Sequence, residues 1–339
     1  MSTNAWTSPT SVGLMAVTGA TFGFAMNKGQ VHLPFVIQDQ MSFSQFTMMK
    51  MFLAALGTSI VSKAVFRAVW PKEFDAIQKK RAADPSHAAV LATGGLIMGS
   101  GMAVCGSCPG SVYVQLGAKI PTALPVFGGV LIGTLVATAV AKPLIAQWQD
   151  KRPRVNTTLQ LSWPAHALLG MAVLGSSVAV EVLFPEHGLH KSAWLPTLAG
   201  MVVGGLQLPL VFILKRSLGA TLSYKIFLDK AFSPIQEAKR WLSLPTISDL
   251  STLIFVAAIV AGSAVATATS GSRTSTGPLP SNAASVVGGV LIGVGSTVAC
   301  GCTSGHGLSG VALLMKSSLI VLPFIFVGGM TTAFASRFF

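Results

Sequence analysis

Residues Gly94–Ser111 read GGLIMGSGMAVCGSCPGS, and residues Gly288–Gly305 read GGVLIGVGSTVACGCTSG. A constant offset of 194 residues lays Gly94, Gly95, Gly99, Gly101, Val104 and Cys108 on Gly288, Gly289, Gly293, Gly295, Val298 and Cys302. In each copy a glycine-striped apolar run reaches a cysteine, breaks, and opens a second, short helical pattern. The duplication implies two related halves. It also gathers the whole thiol inventory: Cys105 and Cys108 in the first copy, Cys300 and Cys302 in the second.

The chain around these loops is apolar. Of 339 residues, 51% are hydrophobic and 10% charged, where a soluble domain carries about 25% charge. Continuous apolar runs without period-2 alternation indicate an all-α integral membrane protein, not a transmembrane barrel. The 35 glycines suit close helix packing in lipid. The net charge of +13 does not indicate a nucleic-acid partner, because the basic residues flank apolar segments as the positive-inside rule requires. Residues 1–9 contain no Lys or Arg, so no basic secretory leader is read there.

Nine membrane segments are read, at 10–27, 44–69, 87–104, 121–141, 165–184, 193–214, 246–269, 283–299 and 317–337. Pieces at 33–42, 110–118, 217–228 and 306–315 are too short to span and read as re-entrant or broken helices. Nine crossings put 17 of the 23 Lys and Arg residues on one side and six on the other, which predicts a cytoplasmic N-terminus and a C-terminus outside a multi-pass plasma membrane protein. The segments divide 4+1+4, with a first repeat at 1–142, a linker with a central helix at 143–192, and a second repeat at 193–339. An odd crossing between the halves inverts the second, an arrangement found in transporters. Lys63 and Arg67 are read as snorkelling from a helix end. Met48, Met49 and Met51 are read as packing residues. His87, His166, His187 and His190 are read as solvated at loops or segment ends.

The loops carry the chemistry. Pro109 ends one helix and can open the next. Gly110 and Ser111 then offer backbone N–H groups at the new N-terminus, while Thr303 or Ser304 is read as an N-cap ahead of Gly305 and His306. Free N–H groups and a positive dipole end suit an anion. A thiol beside each suits an anion that contains sulfur. No metal site or cofactor is expected. A zinc centre from CxxC and CxC lacks any nearby carboxylate to orient its ligands. A membrane thiol–disulfide oxidoreductase is the enzyme alternative, drawn from the CxxC spacing, and a sulfur-relay subunit is a third reading. Cys105 and Cys300 do not superpose under the offset and are equally readable as packing residues.

Four segments, GFAMNKG (23–29), GSGMAVCGSCPGS (99–111), GGLQLPLVFILKRSLGA (204–220) and GVGSTVACGCTSGHGLSG (293–310), resemble the YeeE/YedE family of sulfur transporters, which includes thiosulfate importers. The resemblance implies inverted repeats meeting at a narrow waist, and thiosulfate passing between cysteines without covalent capture. Cys108 and Cys302 match two of the family's cysteines. The third falls in a GF-x-x-x-R-G-x-x-C pattern that reads GFAMNKGQVH here, with Lys28 for the arginine and His32 for the cysteine. The expected partners are a small sulfur-containing anion, the lipid bilayer and a sulfur-accepting protein.

Overall fold

In the computed structural model, residues 9–82, 86–149, 151–155, 157–185, 192–215, 219–235, 246–247, 249–270 and 277–336 are described, with 237, 239, 242 and 244. His187, His190, Lys191, Arg216, Arg240, Arg273 and Arg337, all used in the sequence reading, lie outside them. The described chain is helical, with only two isolated β-bridges, Ser86 to Val155 and Thr158 to Met315. In order the helices are α1 (Pro9–Lys28), α2 (Pro34–Met41), α3 (Thr47–Val69), α4 (Pro71–Arg81), α5 (Ala88–Cys105), α6 (Ser111–Gly117), α7 (Ala123–Val136), α8 (Lys142–Gln149), α9 (Trp163–Leu183), α10 (Pro196–Gly205), α11 (Gln207–Leu214), α12 (Thr221–Ala231), α13 (Ser251–Ser270), α14 (Asn282–Val298) and α15 (Lys316–Ala335). Between α14 and α15 run a π-turn, Ser304–Gly310, and a 3-10 turn, Val311–Leu313.

Each of the nine predicted segments contains a helix among the described residues, although α1 is not among the helices apolar enough to cross a membrane. Seven helical runs are long and apolar enough to cross a membrane: α3, α5, α7 continued into α8, α9, α10 continued into α11, α13 and α15. Asn282–Val298 is apolar but shorter, at 17 residues. The chain is therefore a multi-pass α-helical membrane protein. Two stretches read as loops are helical. Residues 71–81 form α4. Residues 142–149 extend α7 through a π-helical turn at Ala137–Ala141. Pro143, one turn on, has no N–H for the regular ladder, which accounts for the local widening.

Helix pairings come in reciprocal sets. α1 packs on α13 and α10 on α3; α5 packs on α15 and α14 on α7; α5 and α14 cross each other at the centre. The glycine stripes make these crossings possible. A methyl on Gly101 would meet the Gly288 carbonyl at 2.6 Å, one on Gly288 would meet Cys105 Cβ at 2.6 Å, and one on Gly94 would meet Ala299 N at 2.5 Å. Gly99 lies against the Ile325 carbonyl on α15, and its repeat mate Gly293 against the Val130 carbonyl on α7. Small residues let the backbones touch, which supplies the packing that lipid cannot drive hydrophobically.

Gly99→Ala is expected to force α5 and α15 apart, at a cost of about 1–3 kcal/mol. Gly128→Ala adds its methyl where nothing lies within 4 Å. Size-exclusion profiles of detergent-purified protein should therefore show loss of the monodisperse species for Gly99→Ala alone.

Candidate functional site

Both cysteine loops begin where a helix stops inside the protein. Gly106 ends α5 in the left-handed region at φ 60°, and its N–H reaches the Met102 carbonyl. Its repeat mate is Cys300, which ends α14 with φ 59°. The same backbone turn is thus made by glycine in one copy and by cysteine in the other. This explains why Cys105 and Cys300 do not superpose. Cys105 is buried in the α5–α14 crossing, with Sγ donating to the Gly101 carbonyl at 3.1 Å. Cys300 is exposed, and none of the four cysteines is in a disulfide.

Side chains from other elements tie down the loose backbone. In the first loop Gln38 of α2 donates to the Ala103 and Val104 carbonyls at 3.0 and 3.3 Å. Gln115 of α6 donates to the Gly106 and His32 carbonyls at 2.9 and 2.8 Å and accepts from the Ser107 hydroxyl. Tyr224 of α12 donates to the Pro109 carbonyl at 2.7 Å and stacks on Tyr113, with ring centres 5.4 Å apart. In the second loop His306 donates from Nε2 to the Ala299 carbonyl at 2.9 Å, so Nδ1 is left to accept from the Ser318 hydroxyl at 3.0 Å. Arg81 of α4 donates to the Gly305 carbonyl, and Gln78 donates to the Leu313 carbonyl at 2.8 Å.

The capping expected from sequence is different in detail. The Ser111 N–H donates to Cys108 Sγ at 3.3 Å, and the Cys108 N–H donates to Ser111 Oγ at 2.7 Å, so the thiol itself occupies the start of α6. Neither Thr303 nor Ser304 caps the turn that follows. Ser304 Oγ lies 3.2 Å from Cys302 Sγ, and Thr303 Oγ1 faces the sulfur of Met102.

A cavity of about 70 Å³ lies between the loops. Cys108, Gly110 and Ser111 line it from one side and Thr303 and Ser304 from the other. Phe22, Met26, Met48, Met51 and Phe52 also line it, so two of the three methionines read as packing residues face this space. A second cavity, of about 240 Å³, is lined by Arg81, Cys300, Gly301 and Gly305. The peptide 300–305 thus borders both cavities, while Cys302, 1% exposed, lines neither. Cys300 also borders a further cavity of about 240 Å³ with Lys142 and Arg154.

Other candidates sit elsewhere. His32 is buried beside the first loop with Nδ1 unpartnered, but it does not line the cavity between the loops, whereas neighbouring Val31 does. Lys28 donates to the Ser270 hydroxyl at 2.6 Å. Lys63 does not snorkel: it is fully buried, with Nζ donating to Gln207 Oε1 at 2.9 Å. Arg67 donates to the Leu161 carbonyl at 2.7 Å. His166 is not solvated; it is buried with both ring nitrogens unpartnered. Among the described residues no three His, Cys, Asp or Glu side chains form a metal-binding group.

An all-helical membrane protein with two thiol-bearing helix breaks around an internal cavity has the layout of a carrier of small solutes. The family model described as sulphur transport matches residues 28–331, and the chain belongs to that family. It is 24% identical to the thiosulfate transporter TsuA of Escherichia coli (strain K12), over 94% of this chain and 92% of the relative. It is also 40% identical over 48 residues to a probable transporter of Xylella fastidiosa (strain 9a5c), a match covering 14% of this chain and 36% of that protein.

An L-residue in the left-handed region carries a cost of about 1 kcal/mol that glycine avoids. Cys300→Gly is expected to raise the apparent melting temperature, and Cys300→Val, with its branched Cβ, to lower it. Thermal scans of the purified variants check both directions.

Proposed function

We propose that this protein carries a small sulfur-containing anion, thiosulfate foremost, along a pathway between the two cysteine loops. The observation that carries the reading is the shared cavity, lined by Cys108, Gly110 and Ser111 from one loop and by Thr303 and Ser304 from the other. Membership of the sulphur-transport family and full-length similarity to a thiosulfate transporter support it.

The chemistry of the wall favours such a substrate. Thioethers and aromatic rings replace little of the hydration of a sulfate-like ion, so a fully oxygenated anion loses more on entry. An anion with a terminal sulfur presents a softer end that thiols and thioethers accommodate. The thiol of Cys108 meets it first, and Cys302, in the peptide that borders both cavities, meets it next. No bond to sulfur forms or breaks, and the cysteines stay reduced. His32, in the position of the family's third cysteine, supports the first loop through its carbonyl and offers a ring nitrogen with no other partner.

The reciprocal pairings support two inverted halves, 1–142 and 193–339, with 143–192 as the linker. Setting aside the buried Lys63 and Lys50, the basic residues still divide sixteen to five, which supports a cytoplasmic N-terminus in the plasma membrane. Reporter tags at the two termini are expected on opposite faces; tags on one face contradict the inversion.

Serine keeps a hydroxyl and nearly the volume of cysteine. Cys108→Ser and Cys302→Ser are each expected to cut uptake of labelled thiosulfate at least tenfold, the effect of losing about 1–1.5 kcal/mol at one step. Cys105→Ser and Cys300→Ser should be milder. Wild-type uptake by both of the first pair contradicts the thiol pathway. A wild-type protein that accumulates sulfate as fast as thiosulfate contradicts the substrate assignment.

A further inference from the structure

The cavity beside Cys300, Gly301 and Gly305 contains a cation with no assigned role. Arg81 ends α4 and lines that cavity. One of its five N–H donors is spent on the Gly305 carbonyl. Among the described residues no carboxylate pairs with Arg81, and none pairs with the fully buried Lys63. Lys63 lies within electrostatic reach of Arg81, and its partner Gln207 donates onward to Ser309 in the π-turn at 3.3 Å. Two like charges without a counter-ion are costly, and a buried charge within a spanning helix, as Lys63 is in α3, marks an ion pathway by default.

Gly305 marks an opening between the guanidinium and the thiol. A methyl on Gly305 would lie 3.7 Å from Cys302 Sγ and 3.8 Å from Arg81 Nη2, its nearest contacts apart from its own sequence neighbours and the local helix backbone. The gap therefore has a sulfur on one side and a planar fork of donors on the other. A guanidinium fork matches two oxygens of a tetrahedral oxyanion, and a thiol suits a sulfur atom.

We propose that Arg81, backed by Lys63, is the anion-recognising residue of this pathway, holding the oxygens of a divalent sulfur oxyanion at Gly305 while the Cys302 thiol faces its sulfur. This rests on the transport reading and adds to it a charge requirement. A dianion offsets both cations, and a monovalent anion offsets them less well, so Arg81 sets preference by charge as well as affinity.

Binding of thiosulfate and of monovalent thiocyanate to the detergent-purified full chain tests this by calorimetry, with liposome uptake of thiosulfate measured in parallel. Arg81→Gln keeps an N–H for the Gly305 carbonyl and removes the charge. It is expected to weaken thiosulfate binding about tenfold and thiocyanate binding by no more than about twofold. Lys63→Gln should shift the preference in the same direction. Arg81→Lys should retain the preference for the dianion. Gly305→Ala, which fills the gap and leaves every charge, should lose thiosulfate binding. Unchanged thiosulfate affinity in Arg81→Gln or in Gly305→Ala overturns the proposal, as do equal losses for the two anions or a wild type that binds no thiosulfate. A wild type that binds thiosulfate through Arg81 but takes none up contradicts the transport reading and leaves the arginine site standing.

Discussion

Backbone polar groups inside a membrane protein must find partners within the protein, and that constraint governs both cysteine loops. Each loop interrupts a helix, so each frees carbonyl and N–H groups that side chains must satisfy. Gln38, Gln115 and Tyr224 do this for the first loop, and His306, Arg81 and Gln78 for the second. The short helices are therefore not decoration between spans. α2, α4, α6 and α12 bring the side chains that allow the long helices to stop. Removing one such donor would leave a buried carbonyl unpaired at a cost of about 1–3 kcal/mol.

The second determinant is closeness. The loops face a common space because α5 and α14 cross with glycine against backbone, at Gly94, Gly101 and Gly288. A wider crossing would move the ends of both helices and with them Cys108 and Cys302. The residues that fix the site's geometry thus lie one to four turns from the thiols and contribute no chemistry of their own. The cavity between the loops follows from that crossing, and its apolar wall from the helices around it.

Much of this is legible in the sequence, because it depends on local pattern. Apolar runs of sufficient length give the helices, and the 194-residue echo gives the paired loops. What the sequence hides is tertiary. Lys63 lies near a helix end and reads as a snorkelling lysine, yet Gln207 from a helix far along the chain holds it inside. Arg81 reads as one charge in a basic loop until α4 folds back against Gly305. Met48 and Met51 have the spacing of packing residues, and they pack, but on a wall that includes both loops. The chain has only two tyrosines, a signal for a special position, and they stack on each other beneath the first loop. Cys300 shows the limit of repeat alignment, since its backbone role matches Gly106 while its side chain has no counterpart.

One anion pathway is proposed to pass both Cys108 and Cys302. Its most direct test is protection of the thiols in the wild-type protein, read residue by residue by mass spectrometry after brief alkylation with a small neutral reagent. Thiosulfate is expected to slow modification of Cys108 and Cys302 with the same concentration dependence as saturation of uptake. Saturating thiosulfate that leaves both alkylation rates unchanged while uptake proceeds would contradict it.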